Sequence, residues 1–553
     1  MTFCGGSVVL IWAAGASGLF AGTGEAGNPP APSLSVFTCS NGLEVVVERR
    51  PGTRTVFMEI GVRVGSRDEP LALAGMSHLL EHLLFKEGHD PAARRNPAFS
   101  ALRAVGAEIN ASTDFELTEY HADVPAGRFL QGWDALVALV TATDFSDDEL
   151  RRERGVVLGE VALGKTDPLA IMAYSVLRRV FPGDPLGQPV IGFRKTLNRI
   201  TKADVQQYYR RFYRPANMFV VVVGDVDLGD AVSRVRQTLG VLPAGGPART
   251  AYPAPTQNLG HLYRFRTLVS QSYLIAGSLT GGNEARDAPA LELLASILGG
   301  GRTSRLHRRF VERDALTDEV LAISFSVSNV GAFGCGLTVE RRRTEEARAG
   351  LREELVRLTE EPVTAEELDT VKKLLRGALA LELETNSGTG GFRARRLFLH
   401  QPVSQDTYLA VFDALTADDL MRVARKHWGS GARIETKNAP GDRAQHGAAE
   451  NSGASPPAKS GSSPADSRSQ QGDSGPPPVD SGSKPVESGS NPAESASTPV
   501  DSASKPVESG SSSVGSGSKP EEGPGGPVAI EVLPARGFGK VIAALKFLVF
   551  RRL

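Results

Sequence analysis

One helix pattern occurs twice in the chain, and this internal repeat limits the folds that the chain can adopt. The segment ITKADVQQYYRRFY (200–213) matches LTADDLMRVARKHW (415–428). Each segment has Thr followed three residues later by Asp and ends in basic and aromatic residues, which predicts a capped helix whose basic end suits the helix dipole. An ancient duplication of one folding unit is the simplest account. The alternative is two unrelated helices, since good caps are common.

Apolar strands alternate with charged amphipathic helices in the region that holds both copies. MFVVVVGDVD (218–227) has the pattern of a strand, and EEARAGLREELVRLTEE (345–361) has the pattern of a helix, so we expect an α+β fold. LPAGGPARTAYPAPTQ (242–257) lacks periodicity, which indicates a linker. We therefore expect an N-terminal half at 33–241 and a homologous C-terminal half at 258–435.

A proline-rich repeat follows the second copy. Five units, PPVDSGS, KPVESGS, NPAESAS, TPVDSAS and KPVESGS, run from 477 to 511. A proline in every unit excludes a coiled coil, and no apolar residue larger than Val recurs to build a core. We expect a disordered tether at 440–527, either as a linker to the final segment or as expanded low-complexity sequence.

The end of the chain, 528–553, is basic and apolar. GKVIAALKFLVFRRL (539–553) is too short to span a bilayer, which needs about 20 apolar residues, but its larger apolar residues would share one helical face. Two interpretations stay open. The segment could make weak contact with a membrane surface, or it could be a docking peptide for a partner protein.

The first 26 residues have the composition of an export signal. An apolar stretch at 8–14 runs into the triplet Ala14-Gly15-Ala16, which suits signal peptidase, although no Lys or Arg precedes it. We expect a signal peptide at 1–26 and a periplasmic or otherwise exported protein. If this segment is not a signal peptide, the protein is cytoplasmic.

The charge balance offers no general electrostatic attraction for nucleic acid or an anionic membrane. The chain has 62 Lys and Arg against 63 Asp and Glu, a net charge of -1. Its 3 cysteines are too few and too scattered for a disulfide framework or a cysteine zinc site. We expect no nucleic-acid partner, and other partners must be inferred from particular sites.

The segment HLLEH (78–82) carries residues that could form a metal site. Helical residues four apart lie on one face, so His78 and His82 can direct two imidazoles to one point while Glu81 flanks them. A catalytic zinc takes three protein ligands and a water, whose pKa falls to about 7, and a nearby carboxylate can accept the proton. The alternative is a buried group of His and Glu without a metal, on an otherwise apolar helix.

A third ligand should come from a neighbouring element. DDELRRERGVVLGEVAL (147–163) predicts a helix that offers Glu153 and Glu160, two turns apart on one face. Either glutamate could complete the site, and the spacing does not choose between them. Manganese or cobalt would be accepted by the same ligands as zinc.

Several segments together resemble the pitrilysin-like zinc peptidases, or inverzincins, whose H-x-x-E-H reverses the order of H-E-x-x-H. GMSHLLEHLLFKEG (75–88) resembles the family's motif helix, and RRERGVVLGEV (151–161) resembles the helix that brings the third ligand. GAEINASTDFELTEYHADVP (106–125) resembles the active-site edge strand, and YRPANMFVVVVGDVD (213–227) resembles the strand that closes the first half. LGGGRTSRLHRRFVERDAL (298–316) resembles the opening of the second half.

This resemblance implies the roles of the site residues. It makes Glu160 the third ligand beside His78 and His82, so that one Zn2+ is held per chain, with Glu81 as the catalytic base and Glu153 as a supporting acid. It also implies two homologous halves, each a mostly antiparallel sheet with helices packed on one face. The disordered C-terminal tail is an addition to that plan.

The resemblance also implies a substrate-binding strand. Asn110 and Ala111 would lie where a peptide substrate adds its own backbone to the sheet. The alternative is that NASTD (110–114) forms an ordinary turn of small polar residues.

The second half departs from the family pattern. Members carry a segment like R-E-K-x-G-L-A-Y there, whose Arg binds the substrate backbone and whose Tyr helps to stabilise the tetrahedral intermediate. This chain has VERDALTD (311–318), with Val311 and Asp318 in those two places. A chain of this length also supplies only one arm of the family's clam-like chamber. The resemblance therefore implies a related subunit that supplies Arg and Tyr, as in the processing-peptidase branch, or else a homodimer.

The sequence thus predicts a zinc metalloendopeptidase subunit that hydrolyses peptides or unfolded segments inside a dimeric chamber. One alternative is a noncatalytic scaffolding or assembly subunit of such a complex. Another is a membrane-attached binding protein that acts through the tether and the terminal segment.

Overall fold

The structure is a computed structural model that describes residues 33–85, 97–141, 145–164, 168–245, 251–255, 263–266, 271–283, 285–428 and 528–533. The predicted signal peptide, the repeat tether and the end of the chain from residue 534 lie outside the described residues. No helix in the described part is long and apolar enough to cross a membrane.

The described part of the first half combines a six-stranded sheet with eight helices. Its strands are β1 (Ser33–Thr38), β2 (Glu44–Arg49), β3 (Thr55–Val62), β4 (Glu108–Thr113), β5 (Thr118–Pro125) and β6 (Met218–Gly224). Its helices are α1 (Met76–Phe85), α2 (Pro97–Ala104), α3 (Phe129–Thr141), α4 (Asp147–Gly164), α5 (Pro168–Val180), α6 (Arg194–Leu197), α7 (Lys202–Phe212) and α8 (Leu228–Gln237). The strand order is β1-β2-β6-β3-β5-β4, and only the β2–β6 pair is parallel.

The second half has a five-stranded sheet and six described helices. Its strands are β7 (Tyr263–Arg266), β8 (Gln271–Thr280), β9 (Val320–Ser326), β10 (Gly331–Glu340) and β11 (Val528–Leu533). Its helices are α9 (Ala288–Gly299), α10 (Thr344–Glu360), α11 (Ala365–Glu382), α12 (Asn386–Phe398), α13 (Gln405–Asp413) and α14 (Ala417–Trp428). The strand order is β7-β11-β8-β10-β9, and β11 comes from beyond the proline-rich repeats.

The two halves share one topology. The order β2-β6-β3-β5-β4 in the first sheet corresponds to β7-β11-β8-β10-β9 in the second. The helix caps match as well, because Thr201 and Asp204 exchange hydrogen bonds at the start of α7 as Thr416 and Asp419 do at the start of α14. The predicted α+β fold with two homologous halves is therefore confirmed.

Both faces of the first sheet are buried. Val220 and Val222 of β6 lie in the main core with α1, α3 and α7, whereas Phe219, Val221 and Val223 lie in a second cluster on the other face. A strand buried on both faces reads as a continuous apolar run, which explains the MFVVVV segment.

The second face is covered by a helix of the other half. Ala394, Leu397 and Phe398 of α12 pack in the cluster that holds Phe219 and Val221 of β6. In return, Leu177 and Val180 of α5 pack near Val327 and Val330 at the turn between β9 and β10. Helix α12 of the second half thus covers the first sheet, and helix α5 of the first half lies at the β9–β10 turn, which places residues of the second half close to the first half.

Candidate metal centre

Helix α1 carries two histidines on a well-anchored framework. Leu79, Leu80, Leu83 and Leu84 are fully buried in the main core. This apolar spacing orients the helix, so the remaining positions present His78, Glu81 and His82 on another side. The two imidazoles lie one turn apart, with ring centroids 4.7 Å from each other.

The start of α1 is held by a buried glutamate that the sequence analysis did not single out. Glu69 accepts hydrogen bonds from the backbone N–H groups of Gly75 and Ser77, each at 2.7 Å. Burial raises the pKa of Glu69 to about 8, against the opposing effect of these N–H groups. Ser77 also shares a 2.8 Å hydrogen bond with the hydroxyl of Tyr208 on α7. The helix that carries the histidines is therefore fixed in position at its first turn.

Helix α4 packs against α1 and brings both candidate glutamates to the histidines. Glu160 Oε2 lies 3.8 Å from His78 Nε2 and 3.6 Å from His82 Nε2. Glu153 Oε2 lies 3.8 Å from the other nitrogen of the His82 ring, Nδ1. The structure therefore groups His78, His82 and Glu160 around one point and places Glu153 behind His82.

The grouped atoms fit a small divalent metal. One ligand atom each from His78, His82 and Glu160 lie within 4.8 Å of one another. Tetrahedral zinc with ligands at about 2.0–2.1 Å holds its ligand atoms roughly 3.3 Å apart. The 3.6 and 3.8 Å distances from Glu160 therefore require a small contraction, and the two imidazole nitrogens, within 4.8 Å of each other, also lie within reach of one ion. Two imidazoles and a carboxylate are also a donor set typical of catalytic zinc sites with an open fourth position.

The electrostatics of the three groups reflect their crowding. Burial lowers the pKa of His78 to about 4, and the neighbouring His82 contributes in the same direction. For His82, burial also lowers the pKa, but the nearby carboxylates of Glu153 and Glu160 outweigh it and raise the pKa to about 10. Burial raises the pKa of Glu160, but His82 and His78 lower it by a larger amount, so the net shift of this pKa is downward. The carboxylates of Glu153 and Glu160 therefore surround the His82 ring with negative charge, which favours a bound cation.

Glu81 lies beside the histidines in a buried position. It belongs to the same turn of α1 as His78 and His82, and its Oε2 accepts a 2.6 Å hydrogen bond from Thr113 Oγ1. Thr113 was not among the candidates from the sequence. The signal that could have found it is the strand alternation, which puts Ala111 and Thr113 on the same face of β4.

Strand β4 forms one edge of the first sheet. Asn110 is exposed there, and its Oδ1 accepts a 3.0 Å hydrogen bond from the backbone N–H of Ala111. The segment NASTD (110–114) is therefore mostly strand and not an ordinary turn. An edge strand offers unpaired backbone groups to an added strand.

The second half presents neither an Arg nor a Tyr at the two divergent positions. Val311 is half-buried within a π-helix at His307–Arg313, and Asp318 is exposed. Two nearby arginines have other partners, since Arg309 pairs with Glu353 and Glu354, and Arg305 binds Glu367 through two nitrogens.

Comparison with known families and proteins places these features in context. Residues 44–193 match the family described as Insulinase (Peptidase family M16), and residues 199–375 match the Peptidase M16 inactive domain. A protein of Streptomyces coelicolor named as an uncharacterized zinc protease is 31% identical over 403 residues, which cover 70% of this chain and 86% of that protein. A Bacillus subtilis protein with the same description is 26% identical over 393 residues, covering 70% and 94%.

The fold has a solved counterpart. The crystal structure of a protease from Helicobacter pylori superposes with a TM-score of 0.65 at 23% identity, covering 72% of this chain and 96% of that chain. At this identity the likeness concerns the fold alone.

Proposed function

The chain belongs to the pitrilysin-like peptidase family M16, and we propose that it is a zinc-dependent endopeptidase subunit that hydrolyses peptides or unfolded segments. The observation that carries this proposal is the convergence of His78, His82 and Glu160 beside the buried carboxylate of Glu81. This arrangement unites a three-residue metal site with a candidate base.

The residues have distinct roles in the proposed reaction. His78, His82 and Glu160 would hold one Zn2+, and the bound metal supplies Lewis acidity that activates water for attack on a peptide carbonyl. Glu81 would accept the proton of that water and pass it to the leaving amine, a contribution of roughly a hundred- to ten-thousand-fold in rate. Glu153 would orient the His82 ring through Nδ1.

The substrate would bind as an added strand along β4. Its backbone would pair with the free edge beside Asn110 and Ala111, which selects extended chains over folded ones. This mode of binding accounts for a preference for peptides and unfolded segments.

The second subunit of the chamber would supply what this chain lacks. Val311 and Asp318 provide neither the guanidinium nor the phenol that the family resemblance implies. We propose a related chain that carries Arg and Tyr. The alternative is a homodimer, in which these groups are dispensable or are replaced from elsewhere in this chain. Export through residues 1–26 and weak membrane contact through the end of the chain are proposals that depend on segments outside the described residues.

The test begins with the purified chain, its metal content and its cleavage of a mixed library of unstructured peptides. We expect about one zinc per chain, and we expect Glu81→Gln to keep the metal but lose cleavage. Glu345→Gln, an exposed change on α10, is the matched control. Proteolysis that persists in Glu81→Gln would show that the base is another residue.

The same experiment addresses the noncatalytic alternative. If the zinc-loaded chain is silent alone, the assay is repeated with a related chain that carries the Arg and Tyr pair. Cleavage by the mixture supports an obligate heterodimer, whereas silence of the assembled, zinc-loaded complex favours a scaffolding subunit. The divergence at Val311 and Asp318 is the observation that keeps this alternative in view.

A further inference from the structure

We infer that Thr113 is a positioning residue for Glu81 and that the second half of the chain holds it in place. The inference rests on the proposed function, because it takes Glu81 as the base. Thr113 is the last residue of β4, and its hydroxyl donates a 2.6 Å hydrogen bond to the buried carboxylate of Glu81. The strand offered to substrate is therefore joined directly to the base.

The turn that follows Thr113 is tied to the first half by its backbone. The N–H of Ser66 donates to the carbonyl of Asp114 at 3.1 Å, and the N–H of Arg67 donates to the carbonyl of Phe115 at 2.8 Å. These two bonds fix the tip of the β4–β5 hairpin next to the segment that leads into α1.

The same turn is tied to the second half by a buried carboxylate. Glu116 accepts a 2.6 Å hydrogen bond from Arg67 on one oxygen, and both side chains are almost fully buried. Its other oxygen accepts from the backbone N–H and the hydroxyl of Ser328, at 2.9 and 2.6 Å. Arg67 also donates to Asn329 at 2.7 Å. Ser328 and Asn329 lie between β9 and β10, so the second half holds the tip of the β4–β5 hairpin, directly after Thr113.

This arrangement gives the second half a task in the site although none of the proposed metal ligands lies there. A buried, fully paired carboxylate allows little movement, because any displacement leaves charge unpaired. The position of Thr113, and through it the orientation of Glu81, is set by contacts on both sides of the hairpin tip.

The activity test uses the full chain, with its partner if one is needed, and compares Thr113→Val with Thr113→Ser. Valine has nearly the same shape without the hydroxyl, so we expect kcat to fall about 10- to 100-fold with KM within about 2-fold, and serine to restore most of the loss. Zinc binding measured by chelator competition should not change. Ser112→Ala is the matched control, since the Ser112 hydroxyl donates to Glu119 instead.

The contact of Ser328 with the hairpin tip is tested by a double-mutant cycle and by hydrogen exchange. Ser328→Ala should lower kcat by a smaller factor, and combining it with Thr113→Val should add no further loss, because both changes act on one contact. In Ser328→Ala without substrate, the amides of residues 112–118 should exchange hydrogen several-fold faster than in the wild-type chain. Unchanged exchange, strictly additive losses or no rescue by serine would overturn the inference. If Glu81→Gln is inactive while Thr113→Val is fully active, this inference fails and the proposed function stands.

A second observation, on strand β11, carries an independent inference. We infer that the proline-rich repeats are an insertion within the second half and that Val528–Leu533 is the closing strand of that half. β11 is parallel to β7 and antiparallel to β8, as β6 is parallel to β2 and antiparallel to β3. In the first half the closing strand follows soon after α7, whereas residues 429–527 separate α14 from β11.

The test cuts the chain between α14 and β11 while the protein stays folded. A site-specific protease site replaces the repeat unit at 484–490, and the full chain is cut under native conditions. We expect the C-terminal fragment to stay bound during size-exclusion chromatography. Ile530→Pro should release it, because β11 is paired on both sides and proline removes a ladder donor. Val507→Pro within the repeats is the control, and release of the fragment from the cut wild-type chain would overturn the inference.

Discussion

Glu153 lies 3.8 Å from Nδ1 of His82, on the opposite side of the imidazole from Nε2, which lies 3.6 Å from Glu160. A carboxylate in this position holds the ring in one tautomer and one orientation and increases the basicity of the other nitrogen. The two glutamates of α4 are therefore not equivalent, although they share a helix face.

The first prediction separates the two glutamates by metal affinity. Glu160→Gln removes a ligand and should abolish stoichiometric zinc binding, whereas Glu153→Gln should weaken it roughly 10- to 100-fold because it only loses support for His82. Chelator competition measures both. Asp148→Asn, an exposed change on the same helix, is the control. Equal losses from both glutamate variants would contradict these roles.

The second prediction concerns the substrate edge. Asn110→Ala should raise KM about 2- to 10-fold and leave kcat nearly unchanged, because it removes one neutral hydrogen-bonding group from an exposed edge strand. Steady-state kinetics on an unstructured peptide measures both constants. Glu108→Ala, also exposed on β4, serves as the control. A fall in kcat at constant KM would assign Asn110 to the chemical step.

The third prediction tests the packing of α12, a helix of the second half, on the sheet of the first half. A Cβ at Gly390 of α12 would lie 2.1 Å from the buried ring of Phe57 on β3, so Gly390→Ala should cost about 1–3 kcal/mol of unfolding free energy. At the next residue, Gly391, the nearest atom is 3.7 Å away. Gly391→Ala should therefore be neutral or stabilise the helix by about 0.5–1 kcal/mol. Urea denaturation compares the two, and equal effects would argue against the tight contact.

The fourth prediction is a dependence of stability on pH. Burial raises the pKa of Glu367, but the hydrogen bonds from Arg305 and from the Thr364 N–H outweigh it and lower the pKa to about 2 from 4.5. Because the folded-state value is the lower one, the carboxylate stabilises the fold above pH 4.5, and this stabilisation is lost as pH falls from 4.5 to about 2. Glu367→Gln should cost about 1–2 kcal/mol at pH 7, a value reduced from the full shift because water screens part of the pair.

Urea denaturation at several pH values measures this effect. The difference between wild type and Glu367→Gln should shrink steadily below pH 4.5. Glu366→Gln is the control, since that neighbouring side chain is exposed. A difference that stays constant from pH 7 to pH 3 would contradict the role of charge.

The sequence by itself determined the elements whose signals are local. The leucines of α1 repeat at helical spacing, and the histidines four apart therefore share a face. At the start of α7, and again at the start of α14, the capping Thr and Asp lie within four residues of each other. The run of valines in β6 marks a strand. These features depend on contacts within one or two turns or on the burial of a single strand, so the order of residues is sufficient to predict them.

Only the tertiary structure placed Glu160 near both histidines and Glu153 near the other nitrogen of His82, placed Thr113 on Glu81 and paired β11 with β7 and β8. The approach of α4 to α1 depends on how two helices pack, and a spacing of seven residues is compatible with either glutamate as ligand. The pairing of β11 joins segments that are far apart in the chain, and strand register between distant segments is set by the surfaces that they bury together. The physical reason is the same in each case, since side chains distant in sequence meet only after the sheet and its helices have packed.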